Sequence, residues 1–382
     1  MISSVLLLLA QAAPASSTKP NEIIVVGRRA EQDLVQCLAR DCPPAEEIEM
    51  SLQASVEQFT SGRYDDARST LRNAIRRNRD HAADLPGPVS SLYATLSTVA
   101  EHTGDTAVWL RSARTNVEVL RRYVGESNVA TLGQELSFGD TMVGIGTTRE
   151  ASAVYRNVQR KAEKAGHSDM AAGAAFRRAW LALTLGRYSD AEHLADEAVA
   201  LARSNVQLMV ELREIVRTRI AISHGDKGAV DALAKRLRQS AAEMPTLIFA
   251  PPIDDINRPT AFAQSNIIYD SAIAYADLGF WIRPDGRTSG IEVLRNAGLG
   301  PWRPGILRQI KARRYVPFDA NSGYPGTYRI ERFTVRADYG VPVGSRMKQR
   351  IGKLTVHVVD LTQTDAMSAA QRERMQEASA HR

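Results

Sequence analysis

From Glu46 onward the apolar positions recur at helical spacing. Ile48, Leu52, Val56 and Phe59 share one face, a glycine turn interrupts them, and Ala67, Leu71, Ala74 and Ile75 resume the pattern. The interrupting turn, Gly62-Arg63-Tyr64-Asp65-Asp66-Ala67, occurs again as Gly186-Arg187-Tyr188-Ser189-Asp190-Ala191. Ala175, Ala179 and Leu183 precede the second copy, and Ala191, Leu194, Ala198 and Leu201 follow it. The residue types predict a helical hairpin at each copy. Gly ends the first helix, Tyr packs at the corner, Asp caps the second helix, and the small Ala lets the two helices approach closely. Gly104-Asp105-Thr106-Ala107, Gly146 to Ala151 and Gly225 to Ala229 have the same turn-then-Ala character. Successive alanines at 67, 107, 151, 191 and 229 are then 40, 44, 40 and 38 residues apart. We therefore predict an array of helical hairpins over residues 46–244, with an irregular helical domain as the alternative.

Past Met244 the pattern changes. Pro245, Pro251, Pro252 and Pro259, with Asp254-Asp255, predict a linker over 245–265. Beyond it the period falls to two. Ala276, Leu278, Phe280 and Ile282 alternate with Asp277, Gly279 and Trp281, and Pro284-Asp285-Gly286-Arg287 turns the chain into a second strand, Gly290 to Leu294. A short helix follows from Pro301 or Pro304 to Arg314, then Tyr315-Val316-Pro317-Phe318. A long alternating strand carries Tyr328, Ile330, Phe333 and Val335, and Leu354, Val356 and Val358 make one more. The order is ββαββ, an α+β domain over 266–361. The fold class is thus multidomain: an all-α hairpin array, then a small α+β domain. The polar residues 362–382 read as a loose helix or tail.

Two family resemblances follow from these residues. The small positions, the G-x-Y-x-x-A turns and the spaced apolar sites resemble the tetratricopeptide family, although a strict repeat of that kind is about 34 residues. The strand, P-D-G-R turn, strand, helix and aromatic-x-P order resembles the C-terminal domain of the TonB family, over roughly residues 271–339. That family ends its helix in a Trp-Arg-aromatic-x-Pro motif; here Arg313-Arg314-Tyr315-Val316-Pro317 lacks the Trp, and Tyr269-Asp270 lacks a following Pro. The resemblances imply protein or extended-peptide partners, with outer-membrane receptors as one class. They also imply strand pairing through an exposed edge around Tyr328 to Asp338. The family's transducers carry an inner-membrane anchor helix and a Pro-rich spacer. Neither pattern occurs in this sequence, so force transmission is not expected of it. Asn21 to Arg29, with its Ile-Ile-Val-Val run, also resembles the segment at the mature N-terminus of TonB-dependent receptors.

Composition changes the picture at the two ends. The net charge of +6 is uneven: residues 260–360 hold 15 Lys and Arg against 8 Asp and Glu. Twelve of those fifteen are Arg, read as scattered over solvated faces, and no run is interleaved with aromatics as a nucleic-acid patch would be. Residues 1–15 have an apolar stretch and the triplets Ala10-Gln11-Ala12 and Ala13-Pro14-Ala15, as a signal peptide does, so periplasmic export is expected. The stretch is too short to span a bilayer, which needs about 20 residues. In the linker expected over 16–45, Cys37 and Cys42 are the only cysteines, and an exported chain would join them as a local disulfide.

Candidate chemistry is sparse. The seven His residues form no H-E-x-x-H pattern, no G-x-S-x-G elbow occurs, and Glu46-Glu47 and Asp254-Asp255 read as a helix start and a loop. No catalytic, cofactor-binding or metal-binding residue is assigned. Trp109 and Trp180 sit inside apolar periodic runs and read as packing residues. Three readings remain open: a periplasmic adaptor with partners on both modules, a structural cell-envelope protein, or an enzyme whose site is assembled from distant residues.

Overall fold

In a computed structural model the described residues are 29–239, 244–253, 256–257, 268–269, 272–300, 302–319 and 325–362. The expected leader, the Ile-Ile-Val-Val run, Asp254-Asp255, Pro259 and the tail beyond residue 362 lie outside them. The helices are α1 (Arg29–Ala39), α2 (Pro44–Thr60), α3 (Tyr64–Asn78), α4 (Pro86–Thr103), α5 (Thr106–Tyr123) and α6 (Val129–Gly144). They continue as α7 (Thr148–Lys164), α8 (Ser168–Thr184), α9 (Tyr188–Leu201), α10 (Val206–Ser223) and α11 (Ala229–Arg236). Each packs on the next, and α2 also packs on α4, α6 on α8 and α8 on α10. This is a helical-hairpin array, α2–α3 through α10–α11.

The five anticipated glycines make the five hairpin turns. Gly62, Gly104, Gly146, Gly186 and Gly225 sit at φ of 78°, 81°, 85°, 72° and 95°. A side chain is strained there, which is why Gly recurs. The residue after each glycine closes a bond five residues back onto the first helix. Arg63 N donates to Gln58 O at 2.8 Å, Thr147 N to Met142 O at 2.9 Å, and Arg187 N to Ala182 O at 2.9 Å. Each such bond satisfies a carbonyl that the helix end leaves without a partner.

Four details differ from the sequence reading. Arg29–Ala39, expected as linker, is helical, and the Cys37–Cys42 disulfide closes the loop that turns it into α2. The Asp residues of the two best turns are not caps. The N-cap positions are Arg63 and Arg187, neither with a side-chain cap bond, while Asp65, Asp66 and Asp190 lie in the first helical turn, where negative charge favours the dipole. The buried slot five residues after the glycine holds Ala67, Ala151 and Ala191, each with no exposure. In the second and fifth hairpins that slot falls to Trp109 and Val230, so Ala107 and Ala229 are out of register; Ala107 is exposed. Finally, the 245–265 linker contains β1 (Leu247–Phe249), which pairs with β5 (Arg314–Tyr315).

The remaining elements are β2 (Ile268–Tyr269), β3 (Ala274–Ile282), β4 (Thr288–Ala297), α12 (Arg303–Lys311), β6 (Thr327–Arg336), β7 (Tyr339–Gly340), β8 (Gln349–Gly352) and β9 (Thr355–Asp360). The main sheet has the order β4-β3-β6-β9, all antiparallel, with α12 inserted between β4 and β6. The ββαββ succession is therefore present. The two sides of β6 face different cores. Tyr328 and Ile330 join a cluster with Phe59, Tyr64 and Leu96 of the array, whereas Phe333 and Val335 join Phe280, Ile306 and Ile310 inside the sheet domain. Alternation places one residue set on each side.

Candidate functional site

The strand expected to offer an open edge does not. β6 is paired with β3 over nine residues and with β9 over six, and Tyr328, Ile330, Phe333 and Val335 are all buried. Main-chain pairing with an outside peptide is closed to the Tyr328–Asp338 stretch. Local alternation could not reveal this, because strand order depends on partners far along the chain.

The P-D-G-R turn is likewise engaged inside the protein. Gly286 has φ of 77° and its N donates to Arg283 O at 2.8 Å, while Asp285 Oδ1 accepts from Arg287 N at 3.0 Å. Tyr315 N then donates to Gly286 O at 2.8 Å, and Phe318 N to Pro284 O at 3.1 Å. A Cβ at Gly286 would overlap the Tyr315 carbonyl. The turn and the Arg-Tyr-x-Pro segment are thus clamped together. Arg314 extends the clamp to the array through Asp231 of α11, Nη2 to Oδ1 at 2.6 Å, and Pro317 O accepts from Gln239 N at 2.8 Å.

Arginines join the sheet to the array, which the scattered, solvated reading of the basic excess missed. Arg332 and Asp277 are both wholly buried and face each other across β6 and β3, Nε to Oδ1 at 2.6 Å and Nη2 to Oδ2 at 2.8 Å. The same guanidinium donates to the Thr60 carbonyl at 2.6 Å and to that of Phe59, and lies 4.2 Å from the Tyr275 ring centroid. Burial works against its charge, but Asp277 together with Tyr64 and Tyr275 more than offsets this and raises the pKa. Arg336 donates to Glu101 O at 2.9 Å, Arg350 to Thr103 O at 2.9 Å, and Arg295 to Thr60 O. These carbonyls are the C-terminal ends of α2 and α4, where the helix dipole is negative and acceptors lack intrahelical partners. Among the described residues, hairpins one and two alone meet the sheet this way. A Cβ at Gly62 would overlap the Tyr275 hydroxyl and one at Gly104 the Ala337 carbonyl, while one at Gly146 or Gly186 would meet nothing within 4 Å.

The repeated Tyr residues diverge accordingly. Tyr64 is buried under the sheet, edge-on to Phe59 at 5.3 Å, and burial lifts its pKa to about 12. Tyr188 is half-buried against His224 at 5.3 Å. His102 completes the seam, its Nδ1 2.8 Å from Thr334 Oγ1, with its pKa pushed well below the ordinary value by burial and then by His357 and nearby arginines. His357 Nδ1 in turn lies 3.0 Å from Glu101 Oε1.

What stays open is β4. Six of its ten residues are in register with β3 on one side, and among the described residues no strand pairs with its other side. Val293 at its middle is 40% exposed. The opposite edge is partly occupied: the Asn257 amide pairs with Leu354 just before β9, donating to its O at 3.0 Å and accepting from its N at 2.7 Å. Among the described residues no three His, Cys, Asp or Glu side chains gather as a metal site would require, and no helix is long and apolar enough to cross a membrane.

No protein-family model matches the chain, and no curated protein matches it. Solved structures do. BtubC (BKLC) from P. vanneervenii is 11% identical, over 55% of this chain and 86% of that one, with a TM-score of 0.42. The Rap protein complexed with competence and sporulation factor is 13% identical, over 53% of this chain and 57% of that one, with a TM-score of 0.37. Neither likeness bears on what this chain does.

Proposed function

We propose that the chain is a non-catalytic, periplasmic protein–protein interaction adaptor that pairs through β4 with an extended segment of another protein, an outer-membrane receptor being the class implied by its TonB-like pattern. The observation that carries this reading is the ten-residue β4 edge, backed by a sheet that arginines hold to the array. An added strand gains main-chain hydrogen bonds from such an edge and specificity from side chains such as Val293. The tetratricopeptide-like array serves as the rigid support and offers its outer helices to a second partner. An oxidising compartment is supported by the Cys37–Cys42 disulfide.

A second reading, a structural envelope protein that pairs with nothing, draws on the edge itself. The β3–β4 register shifts at Asp277/Leu278 and at Gly279/Trp281, and Gly290 has φ of 56°. Such bulges twist an edge out of reach of other chains. A photocrosslinking residue at position 293, compared with one at the fully exposed Val343, separates the two readings in living cells. The adaptor predicts a 293-specific adduct that maps to an extended segment of one envelope protein. Equal or absent adducts at both positions leave only the structural reading.

A further inference from the structure

A cavity of about 410 Å³ lies between the later hairpins and the sheet domain. Its apolar wall is built by Trp180 and Leu183 of α8, Pro251 and Ile253 after β1, and Val356 and Val358 of β9. That size is within the range of small-molecule sites, which combine apolar walls with a few polar groups. Among the polar groups that line it, three are arginines and two are carboxylates, Glu331 and Asp360. Arg313 and Arg329 share Glu331, at 2.9 Å and 2.7 Å, and Arg329 also reaches Asp360 at 3.2 Å. Those two arginines are balanced by those two carboxylates.

Arg219 has no such balance. It enters the same cavity from α10, and its Nε donates to Ile248 O at 3.1 Å. Its guanidinium stands 4.9 Å from the Phe249 ring centroid and 5.8 Å from that of Trp180. Among the described residues no carboxylate forms an ion pair with it. Burial alone acts on its charge and pushes its pKa down to about 10, so it stays protonated at neutral pH. Arg219 is half-buried, and a charge so far withdrawn from water is ordinarily paired, because an unpaired one is costly to desolvate. A second observation points the same way: Arg329, 6% exposed, has its Nη1 buried without a hydrogen-bond partner among the described residues. The cavity therefore offers one unbalanced positive charge, planar donors and an apolar chamber beside them.

We propose that this cavity binds a small amphipathic monocarboxylic acid, with its carboxylate on Arg219 and its apolar body along Trp180, Pro251 and Val356. A carboxylate fits the planar fork of a guanidinium with two parallel hydrogen bonds, and a single negative charge matches the single surplus. The site is separate from the β4 edge and stands or falls without it.

Decanoate, 1-decanol and decylamine share one apolar body and differ in the head group. Titrated calorimetrically into the full-length protein at pH 7, decanoate is expected to bind at one site and at least tenfold more tightly than either analogue. Arg219→Gln is expected to remove at least tenfold of the decanoate affinity and leave that of decanol unchanged. Asp254→Asn with Asp255→Asn tests whether the chain's own carboxylates occupy the site. Decanoate binding equally to the native chain and this variant supports an open site, and binding by the variant alone overturns it for the native protein. Equal affinities for decanoate and decanol overturn the proposal without reference to any variant, as does a lack of binding by all three compounds.

Discussion

Arg332 and Asp277 stand directly opposite each other in the β6–β3 register, both without solvent exposure, and the arginine spends its remaining donors on the end of helix α2. One side chain thus closes a sheet pair and a helix terminus at once. Removing a single partner of a buried pair strands the other charge. Asp277→Asn is therefore expected to cost about 3–5 kcal/mol of unfolding free energy, read from urea titration followed by circular dichroism. Replacing both residues, as Arg332→Met with Asp277→Leu, is expected to cost less than the sum of the two single changes. Simple additivity would show that the two do not act as a pair.

The hairpin glycines supply a paired comparison. Gly186→Ala meets open space and is expected to cost about 1–2 kcal/mol for the left-handed backbone alone. Gly62→Ala, at nearly the same φ, is driven into Tyr275, so it should cost more and also raise hydrogen exchange in β3 and β6. Equal costs at the two positions would mean that the first turn is not held against the sheet.

His102 makes the seam sensitive to acid. Its pKa in the folded protein is depressed well below 6.5, so below that pH the unfolded chain binds the proton that the folded chain refuses. The stability this residue provides is present above pH 6.5 and is lost as the pH falls toward the folded-state value. The loss is at most about 1.4 kcal/mol per pH unit for one proton. Around the ring stand His357, Glu101, Arg332 and Arg336. His102→Gln should flatten the decline in unfolding free energy between pH 6.5 and 5; an unchanged slope would assign the acid response to other groups.

The disulfide is expected to act locally. It joins residues five apart, and closing so short a loop is worth about 2 kcal/mol by chain entropy. Cys37→Ser with Cys42→Ser should speed hydrogen exchange in Arg29–Ala39 while leaving α4 to α10 unchanged. Faster exchange throughout the array would contradict this.

The array was legible in the sequence because a left-handed turn demands glycine, and glycine is visible as a letter. The register of two hairpins was not, since Trp109 and Val230 stand where the other turns carry alanine. The Gly166 turn between α7 and α8, at φ of 77°, lacks the Tyr of the Gly62 and Gly186 turns but holds Ala171 in the same buried slot, so it was legible in the sequence although it is absent from the expected series of turns. Strand existence followed from alternation at Ala276 to Ile282. Strand order did not, because β6 carries Arg332, Thr334 and Arg336 at positions whose polarity suggests solvent. Their burial becomes intelligible only once the ends of α2 and α4 supply acceptors. The cavity was equally hidden, because Trp180, Arg219 and Arg329 come together only through the fold.

The carbonyls at Phe59 and Thr60 are made early on the ribosome, and the arginine that binds both lies some 270 residues later, although Phe59 O also accepts from Gly62 N within its own turn. Until that strand emerges, the first hairpin has an unfinished end and a bare apolar flank around Tyr64. Contacts of such wide sequence separation slow folding, because a long loop must close before they repay it. A polypeptide interrupted before β6 therefore leaves that end and flank uncovered, a surface of the kind that chaperones recognise as incomplete.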